Sequence, residues 1–204
     1  MDILADPERF SNTPQQKEIL EEITENVVKI EEIIRRVLDL AKAKEPNRAR
    51  LSINAIIENT MRLWNRRINR ARLRLDLRLA ADVPEILGDE IEVQQVITNL
   101  VSNAVDAMES GGELVVATRA GLSRFHPGRQ VVVLSVADSG HGIREEQIDD
   151  VFAPFFTTKV SGTGLGLAIS HKIIERHGGM ITVENRPEGG ALFRIELPAP
   201  GVHE

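Results

Sequence analysis

Cysteine and tyrosine are absent from the 204-residue chain, and aromatic residues make up only 3% of it. Without cysteine the chain has no disulfide bond, no thiolate zinc site and no cysteine nucleophile. No apolar run approaches the roughly 20 residues that a membrane-spanning helix needs, and residues 1–7 are too short and too acidic for a signal peptide. Acidic residues outnumber Lys and Arg by 31 to 25, which argues against nucleic-acid binding because that function needs a basic surface.

What the chain does contain is a globular composition, with 42% hydrophobic residues, 27% charged residues and 15 glycines. These proportions allow a packed core and exclude wholesale disorder. Lysine is concentrated before Asn47, whereas arginine dominates after it, and Pro46 ends the first segment. We therefore predict two domains, residues 1–46 and residues 47–204.

The first domain is predicted to be one long helix over residues 14–43, with Thr13 as its N-cap and Pro14 in its first position. Its apolar residues alternate steps of four and three, which is typical of a coiled coil. This seam comprises Ile23, Val27, Ile30, Ile34, Val37 and Ala41. Such a helix either lies on its own domain or pairs with a second copy. We favour a homodimer through residues 14–43, since no second amphipathic helix of similar length follows to cover the seam.

The second domain alternates between the two periodicities of helix and strand. Helices are predicted over residues 53–64, 90–108, 144–151 and 165–177, with Ser52 and Asp89 as N-caps. Strands are predicted over residues 73–79, 114–118, 131–137, 180–184 and 191–197, the last two as a hairpin. This order predicts an α+β fold, a two-layer α/β sandwich in which helices cover one face of a mixed sheet. The coiled-coil-like helix precedes it.

Two polar motifs stand out against this framework. The helix over residues 90–108 has a stripe of polar residues on one face, Gln95, Asn99, Asn103 and Asp106. Amide and carboxylate oxygens of this kind can ligate a hard cation. The second motif follows a strand and reads Asp138-Ser-Gly-His-Gly-Ile. A carboxylate at such a strand end can accept the amino hydrogens of a base, although a solvated helix face and an ordinary turn would give the same two patterns.

Two further motifs follow. Three of the six phenylalanines lie within residues 152–156, directly before Thr157, Thr158 and Lys159, which can donate hydrogen bonds to anionic oxygens. The run over residues 162–167 reads Gly-Thr-Gly-Leu-Gly-Leu and opens a helix, where unpaired backbone N–H groups favour an anion. It is neither a Walker loop nor a Rossmann fingerprint, because its spacing differs from both.

The order of these four motifs resembles the N box, first G box, F box and second G box of sensor histidine kinases. The resemblance covers residues 47–198, and residues 14–43 look like the second helix of that family's dimerisation hairpin. It implies a protein histidine kinase domain of the type shared with gyrase and MutL ATPases, with ATP and Mg²⁺ as cofactors. Its γ-phosphate would go to a histidine and then to the receiver domain of a response regulator. The implied location is cytoplasmic, in a full-length protein that is either soluble or membrane-anchored.

The resemblance also implies roles for individual residues. Asp138 would bond the adenine amino group, and Gly140, Gly142 and Ile143 would line the base pocket. Asn103 would ligate Mg²⁺ at the phosphates. The other implied residues are Asn99, which is catalytic beside Asn103, and, in the ATP site, Asp106, Phe156, Thr157, Thr158, Lys159, Gly162, Thr163, Gly164, Leu165, Gly166 and Leu167. Many family members have a basic residue where this chain has Asp106. The resemblance therefore leaves open which group neutralises the phosphate charge here.

Asn99 favours a kinase over an ATPase. The related ATPases have a glutamate one turn before the metal-binding asparagine, where it acts as a general base, and an amide cannot accept a proton at neutral pH. A gyrase- or MutL-type ATPase remains an alternative, as does a non-catalytic module for dimerisation or regulator docking.

The phosphoacceptor histidine is missing from the predicted hairpin helix, because all five histidines follow Asn47. We expect that the chain is a fragment that begins partway along the hairpin and does not phosphorylate itself. A natural protein without an acceptor is the rival interpretation.

Overall fold

The structure is a computed structural model that describes residues 18–24, 26–28, 30–31, 34, 47–108, 111–159 and 162–199. It divides into two compact units, Met1–Lys42 and Ala43–Glu204. In the first unit the described residues are helical, and seven large apolar side chains are each at least half exposed: Ile19, Leu20, Ile23, Val27, Val28, Ile30 and Ile34. The rest of the predicted helix, with the seam positions Val37 and Ala41, lies outside the described residues.

The second unit contains a five-stranded mixed sheet and a separate two-stranded sheet. The strands are β1 (Ala49–Leu51), β2 (Leu73–Leu79), β3 (Ile86–Gly88), β4 (Gly112–Leu122), β5 (Gln130–Asp138), β6 (Met180–Asn185) and β7 (Ala191–Pro198). The large sheet has the order β2-β4-β5-β7-β6, in which only β2 and β4 pair in parallel. The small sheet is the antiparallel pair of β1 and β3. Strand β2 is therefore one edge of the large sheet.

Three helices form the second layer: α1 (Ile53–Arg70), α2 (Glu90–Ala107) and α3 (Gly166–Arg176). Helix α2 packs against α1, α3 and β5, while α1 also contacts β2 and α3 contacts β6. The core between the layers is built from β-branched and leucine side chains such as Ile57, Ile97, Leu114, Ile174 and Ile195, each at most 1% exposed. Helices thus cover one face of a mixed sheet, which confirms the predicted fold class.

The helix ends follow from local hydrogen bonding. Ser52 accepts from the N–H of Ala55, and Asp89 Oδ1 accepts from the N–H groups of Ile91 at 3.0 Å and Glu92 at 3.3 Å. Both predicted N-caps are therefore confirmed. Helix α1 continues to Arg70, six residues beyond the predicted end, because Ile68 lies one heptad after Met61 and is buried with it.

The sequence prediction was wrong in two places. Residues 144–151 form only a 3₁₀ turn, Glu145–Gln147, followed by further turns, because Arg144 makes no side-chain cap and only Val151 is buried in this segment. Strands β1 and β3 were not predicted, since an alternating pattern cannot be recognised over three residues. Among the described residues, no helix is both long enough and apolar enough to cross a membrane.

Asp89→Ala tests the capping of α2. Asp89 Oδ2 also accepts from the N–H of Asn47 at 3.0 Å, so the substitution leaves three backbone donors without this acceptor. We expect the free energy of unfolding to fall by about 1–2 kcal/mol, measured by urea denaturation. The exposed Asp82 provides the control, and Asp82→Ala should stay within about 0.5 kcal/mol. Equal effects of the two substitutions would contradict the capping role.

Candidate functional site

Asp138 is the last residue of β5 and one of the few buried carboxylates, with only 3% of it exposed. Its Oδ1 accepts hydrogen bonds from the N–H groups of Gly140 at 2.9 Å and Ala191 at 3.3 Å. Arg186 donates to its carbonyl oxygen at 2.8 Å. The side chain is thereby fixed through one oxygen, and Oδ2 makes no hydrogen bond within the described residues, so it can accept one from a ligand.

Burial raises the pKa of Asp138 above its ordinary value of 3.8. The two backbone donors and the charge interactions with His141 and Arg186 act in the opposite direction, since they stabilise the ionised form. The site therefore holds a carboxylate whose desolvation is only partly compensated by the protein. A ligand that donates a hydrogen bond to this group supplies the compensation that is missing.

The loop after Asp138 lies directly against the end of α2. A Cβ at Gly140 would be 2.5 Å from the backbone oxygen of Ala107, so only glycine fits there. Gly142 has a φ of +70°, and the next residue, Ile143, is held by a side chain that the sequence analysis missed. Asn185, at the end of β6, accepts from the N–H of Ile143 at 2.8 Å and donates to its carbonyl at 2.6 Å.

Asn185 and Arg186 are two residues of the candidate site that sequence reasoning did not find. Both act on the Asp138 loop from 42 or more residues away in sequence. The residues themselves gave no motif, since an Asn and an Arg at the end of a hairpin strand are typical of an ordinary turn. Only the pairing of β6 with β7 and of β7 with β5 brings them to the loop.

The polar stripe of α2 divides between two contacts. Asn99 Nδ2 donates to Ser170 Oγ on α3 at 3.0 Å, and a Cβ at Gly166 would be 2.4 Å from Asn99 Oδ1. Asn99 therefore fixes the first turn of α3 against α2. Asn103, one turn later, instead accepts a hydrogen bond from the Lys159 ammonium at 3.0 Å.

Lys159 also forms an ion pair with Asp106, whose Oδ2 lies 2.8 Å from its Nζ. Asp106 Oδ1 lies 2.8 Å from an Arg67 guanidinium nitrogen, and Arg67 in turn stacks over the ring of Trp64 at 4.9 Å. Arg67 was not singled out in the sequence, because it lies on a helix rich in arginine and 39 residues from Asp106. The structure thus brings the predicted residues Asn103, Asp106 and Lys159 together.

The phenylalanine-rich loop and the glycine run contact each other. Thr157 Oγ1 accepts from the N–H of Lys159 at 3.1 Å, and a Cβ at Gly162 would be 2.4 Å from that oxygen. Gly164 has a φ of +65° and lies against the backbone of Phe155, which itself has a φ of +68°. No residue with a Cβ could replace Gly164 without moving that backbone.

The remaining predicted residues lie around these contacts. Leu165 is completely buried at the start of α3, which anchors the helix in the core. Thr158 is exposed, while Phe156, Thr163 and Leu167 are half-buried. The three phenylalanines do not form one hydrophobic plug, because the side chain of Phe155 is 64% exposed while Phe152 packs against His171 with ring centroids 5.5 Å apart.

The donor set fits a hard cation that is held mostly by a phosphate ligand. Asn103 offers an amide oxygen that already accepts a hydrogen bond from a cation. The described residues contain no cluster of three or more His, Cys, Asp or Glu that could hold a metal by itself. Mg²⁺ commonly uses one or two protein oxygens together with phosphate oxygens and water, so Asn103 Oδ1 could serve as the one protein ligand of such an ion.

Comparison with known proteins gives one family. Residues 88–201 match the family described as "Histidine kinase-, DNA gyrase B-, and HSP90-like ATPase". The curated relatives include sporulation kinase E of Bacillus subtilis (strain 168), 36% identical over 86% of this chain and 23% of that protein. Sensor protein FixL of Bradyrhizobium diazoefficiens is 35% identical over 92% of this chain and 36% of that protein. The chain therefore spans between about a quarter and about a third of the length of these relatives.

Solved structures agree with the sequence comparison. Full-length ShkA in complex with AMPPNP is 26% identical, with a TM-score of 0.76, and covers 95% of this chain and 41% of that one. Histidine kinase ThkA in complex with the response regulator protein TrrA is 27% identical, with a TM-score of 0.73, and covers 94% of this chain and 54% of that one. The resemblance read from the four motifs is confirmed at the level of the family.

Gly140→Ala tests the close approach of the Asp138 loop to α2. Because the added methyl group would meet backbone rather than a flexible side chain, we expect the free energy of unfolding to fall by about 1–3 kcal/mol. Gly121→Ala is the matched control, since its Cβ would come close only to the flexible end of the Arg119 side chain and would make an ordinary contact with Val133. It should change stability by less than about 0.5 kcal/mol. Chemical denaturation measures both variants. A Gly140→Ala protein as stable as the control would contradict this packing.

Asp138→Asn tests the unfavourable burial of the carboxylate. Since burial raises its pKa in the folded state, ionisation of Asp138 favours the unfolded chain, and the native protein loses stability as the pH rises from about 3.8 through the folded-state pKa. The asparagine variant avoids this loss. The difference in free energy of unfolding between the variant and the native protein should therefore grow across that pH window and stay constant above it.

Thermal or urea unfolding over a pH series provides the measurement. Asp149→Asn removes an exposed aspartate and so controls for the change in net charge. A difference between Asp138→Asn and the native protein that did not vary with pH would show that the carboxylate is not destabilised by its surroundings.

Proposed function

The chain belongs to the family of histidine kinase-, DNA gyrase B- and HSP90-like ATPases, and from that premise we propose that it binds Mg²⁺–ATP and transfers the γ-phosphate to a histidine. The domain is an ATP-binding catalytic domain of the sensor histidine kinase type, as its relatives and structural neighbours indicate.

The proposal rests on the buried and incompletely hydrogen-bonded carboxylate of Asp138. Its carboxylate is buried at the end of a strand, held by two backbone donors on Oδ1. An exocyclic amino group of adenine supplies the donor that Oδ2 can accept. Gly140, Gly142 and Ile143 form the backbone beside it, and Asn185 fixes this loop. We assign adenine recognition to this carboxylate and this loop.

The phosphate end of the ligand is assigned to α2 and the first turn of α3. Asn103 Oδ1 would ligate Mg²⁺, which neutralises the charge that develops on the transferring phosphate. The first backbone N–H groups of α3 have no partner within the helix, and they favour an anion there. Thr157, Thr158 and Lys159 would donate to phosphate oxygens. Asn99 holds α3 in this position through Ser170.

Transfer rather than hydrolysis follows from the residue one turn before Asn103. The Asn99 amide cannot accept a proton from water at neutral pH. Its Nδ2 donates to Ser170 on α3, so the side chain cannot turn towards a water molecule without breaking that contact. Bound ATP should then persist until an acceptor arrives. This is the property expected of a kinase rather than of a gyrase-type ATPase.

The acceptor is proposed to be a histidine other than the five in this chain. His177 is the clearest case, because it is buried, accepts the N–H of Asp89 on Nε2 at 3.0 Å, and donates from Nδ1 to the carbonyl of Ile173 at 2.8 Å. Both ring nitrogens are therefore committed to structural hydrogen bonds. A phosphohistidine at this position would require the loss of one of them.

Two partners complete the proposal. A second copy of the chain would cover residues 14–43, where the described large apolar side chains, such as Ile23 and Val27, are at least half exposed. A response-regulator receiver domain would accept the phosphate, as the complex of the neighbour ThkA with the regulator TrrA suggests. We place this activity in the cytoplasm, by analogy with the family's catalytic domains.

Asp138→Asn tests the proposal by isothermal titration calorimetry with Mg²⁺–ADP. The variant presents an amide in place of the carboxylate, and we expect affinity to fall by at least about ten-fold, since a hydrogen bond to a charged group contributes about 1.5–3 kcal/mol. Asp149→Asn should bind like the native protein.

An unchanged affinity in Asp138→Asn would remove the adenine assignment. Rapid, steady ATP turnover by the native chain without any acceptor would instead favour the ATPase alternative. No binding of nucleotide by the native chain would favour a non-catalytic docking module.

A further inference from the structure

Four side chains from two helices and one loop form a charge cluster, which we define as Arg67, Asp106, Lys159 and Asn103. Lys159 Nζ lies 3.0 Å from Asn103 Oδ1 and 2.8 Å from Asp106 Oδ2. Arg67 holds the other oxygen of Asp106 at 2.8 Å. Each oxygen of the carboxylate is thus bound to a different cation, and the lysine reaches past it to the amide.

The arrangement places a cation on the oxygen that we assign to the metal. Mg²⁺ binds oxygen ligands at about 2.0–2.1 Å and demands near-octahedral geometry. An ammonium group on the same amide oxygen would lie within a few ångströms of the metal, where two positive charges repel strongly. Lys159 and Mg²⁺ therefore compete for Asn103 Oδ1.

Arg67 and Asp106 determine where the Lys159 ammonium lies before the metal binds. Without Asp106 the ammonium would keep only a neutral amide acceptor, because the ion pair supplies its other contact. Arg67 in turn orients the carboxylate by binding Oδ1. It also offsets the negative charge of Asp106, which stands on the same helix face as Asn103 and would otherwise repel phosphate.

We propose that Arg67 and Asp106 are positioning residues that hold Lys159 on Asn103 while the site is free, so that Mg²⁺–nucleotide must displace the ammonium before the metal reaches the amide oxygen. This inference rests on the proposed function. It makes Lys159 the internal counter-cation of the free site, and it makes departure of the lysine a necessary part of nucleotide binding. Lys159 lies three residues before Gly162. Once it is released, its ammonium can bind phosphate oxygens.

A double-mutant cycle over Asp106→Asn, Lys159→Met and the combined variant tests this inference. The readout is the affinity for Mg²⁺–ADP, measured by calorimetry. Each single substitution also changes the field at the phosphates, but the cycle cancels these direct effects and leaves the interaction between the two residues. By linkage, the coupling that remains equals the strength of the Asp106–Lys159 interaction in the free protein minus its strength in the nucleotide complex.

The inference predicts that Asp106→Asn raises affinity more when Lys159 is present than when Met replaces it. The two side chains are 31% and 42% exposed, and exposed ion pairs are weak, so the ratio between the two effects should be about 1.5- to 5-fold. Equal effects in the two backgrounds, or a larger effect with Met, would overturn the inference.

A second readout follows the metal rather than the nucleotide. At a fixed concentration of ADP, the Mg²⁺ concentration that gives half-maximal tightening should be lower in Lys159→Met than in the native protein, by a similar factor. A merely structural role for Lys159 would not lower it. An unchanged or higher Mg²⁺ midpoint would contradict the competition at Asn103.

Asp76 and Arg78 on β2 provide the matched control, because they form an exposed ion pair with an N–O distance of 2.7 Å. A cycle over Asp76→Asn and Arg78→Met should be additive for Mg²⁺–ADP affinity. Thermal unfolding of every variant without nucleotide establishes that it is folded. A native chain that fails to bind ADP would refute the proposed function itself, whereas tight Mg²⁺-dependent binding with an additive Asp106–Lys159 cycle would refute only this inference.

Discussion

The packing of α2 is the constraint on which the rest of the structure depends. This helix contacts α1, α3 and β5, so its apolar residues are buried around most of its circumference and only a narrow stripe is left for polar side chains. Asn99, Asn103 and Asp106 lie on that stripe. Asn99 contacts α3, Asn103 contacts Lys159, and Asp106 contacts both Lys159 and Arg67 of α1. The packing of α2 therefore positions both the core side chains and the polar side chains of the site. Shifting α2 to improve its packing would move the polar contacts of Asn99, Asn103 and Asp106.

At Asp138, unlike on α2, the group that suits ligand binding is unfavourable for the stability of the fold. Its burial raises its pKa and so disfavours the ionised form, while two backbone donors and Arg186 only partly restore what water would have given. A neutral side chain would suit the fold better. The proposed function accounts for a carboxylate at this position, because a ligand that donates a hydrogen bond would complete its partners.

The sequence predicted those features that depend on local chemistry. The N-caps Ser52 and Asp89, the alternation of β2 and the glycine-started α3 are each encoded within a few residues, and the structure has them. The succession of motifs also predicted the family. Strands of three residues such as β1 and β3 were missed because they are too short to show a period, and residues 144–151 have an apolar pattern but lack the cap and the buried contacts that a helix needs.

The parts that were not predicted depend on long-range pairing. Asn185, Arg186 and Arg67 reach the site only through the order of the sheet and the packing of α1 on α2, and nothing in their neighbourhood in sequence marks them. Asp106 is the instructive case. The sequence raised a question about its charge, and the answer lies on α1, 39 residues away, where Arg67 pairs with it.

The edge position of β2 also limits how two copies of the chain can associate. Arg72, Arg74 and Arg78 are exposed on or beside this strand, and an edge strand normally offers unpaired backbone groups to any other strand. Two such edges meeting would bring these arginines together and would disturb the ion pairs of Arg74 with Glu113 and of Arg78 with Asp76. A sheet that continues from one molecule to the next is thereby disfavoured, and aggregation by strand addition is resisted at this end.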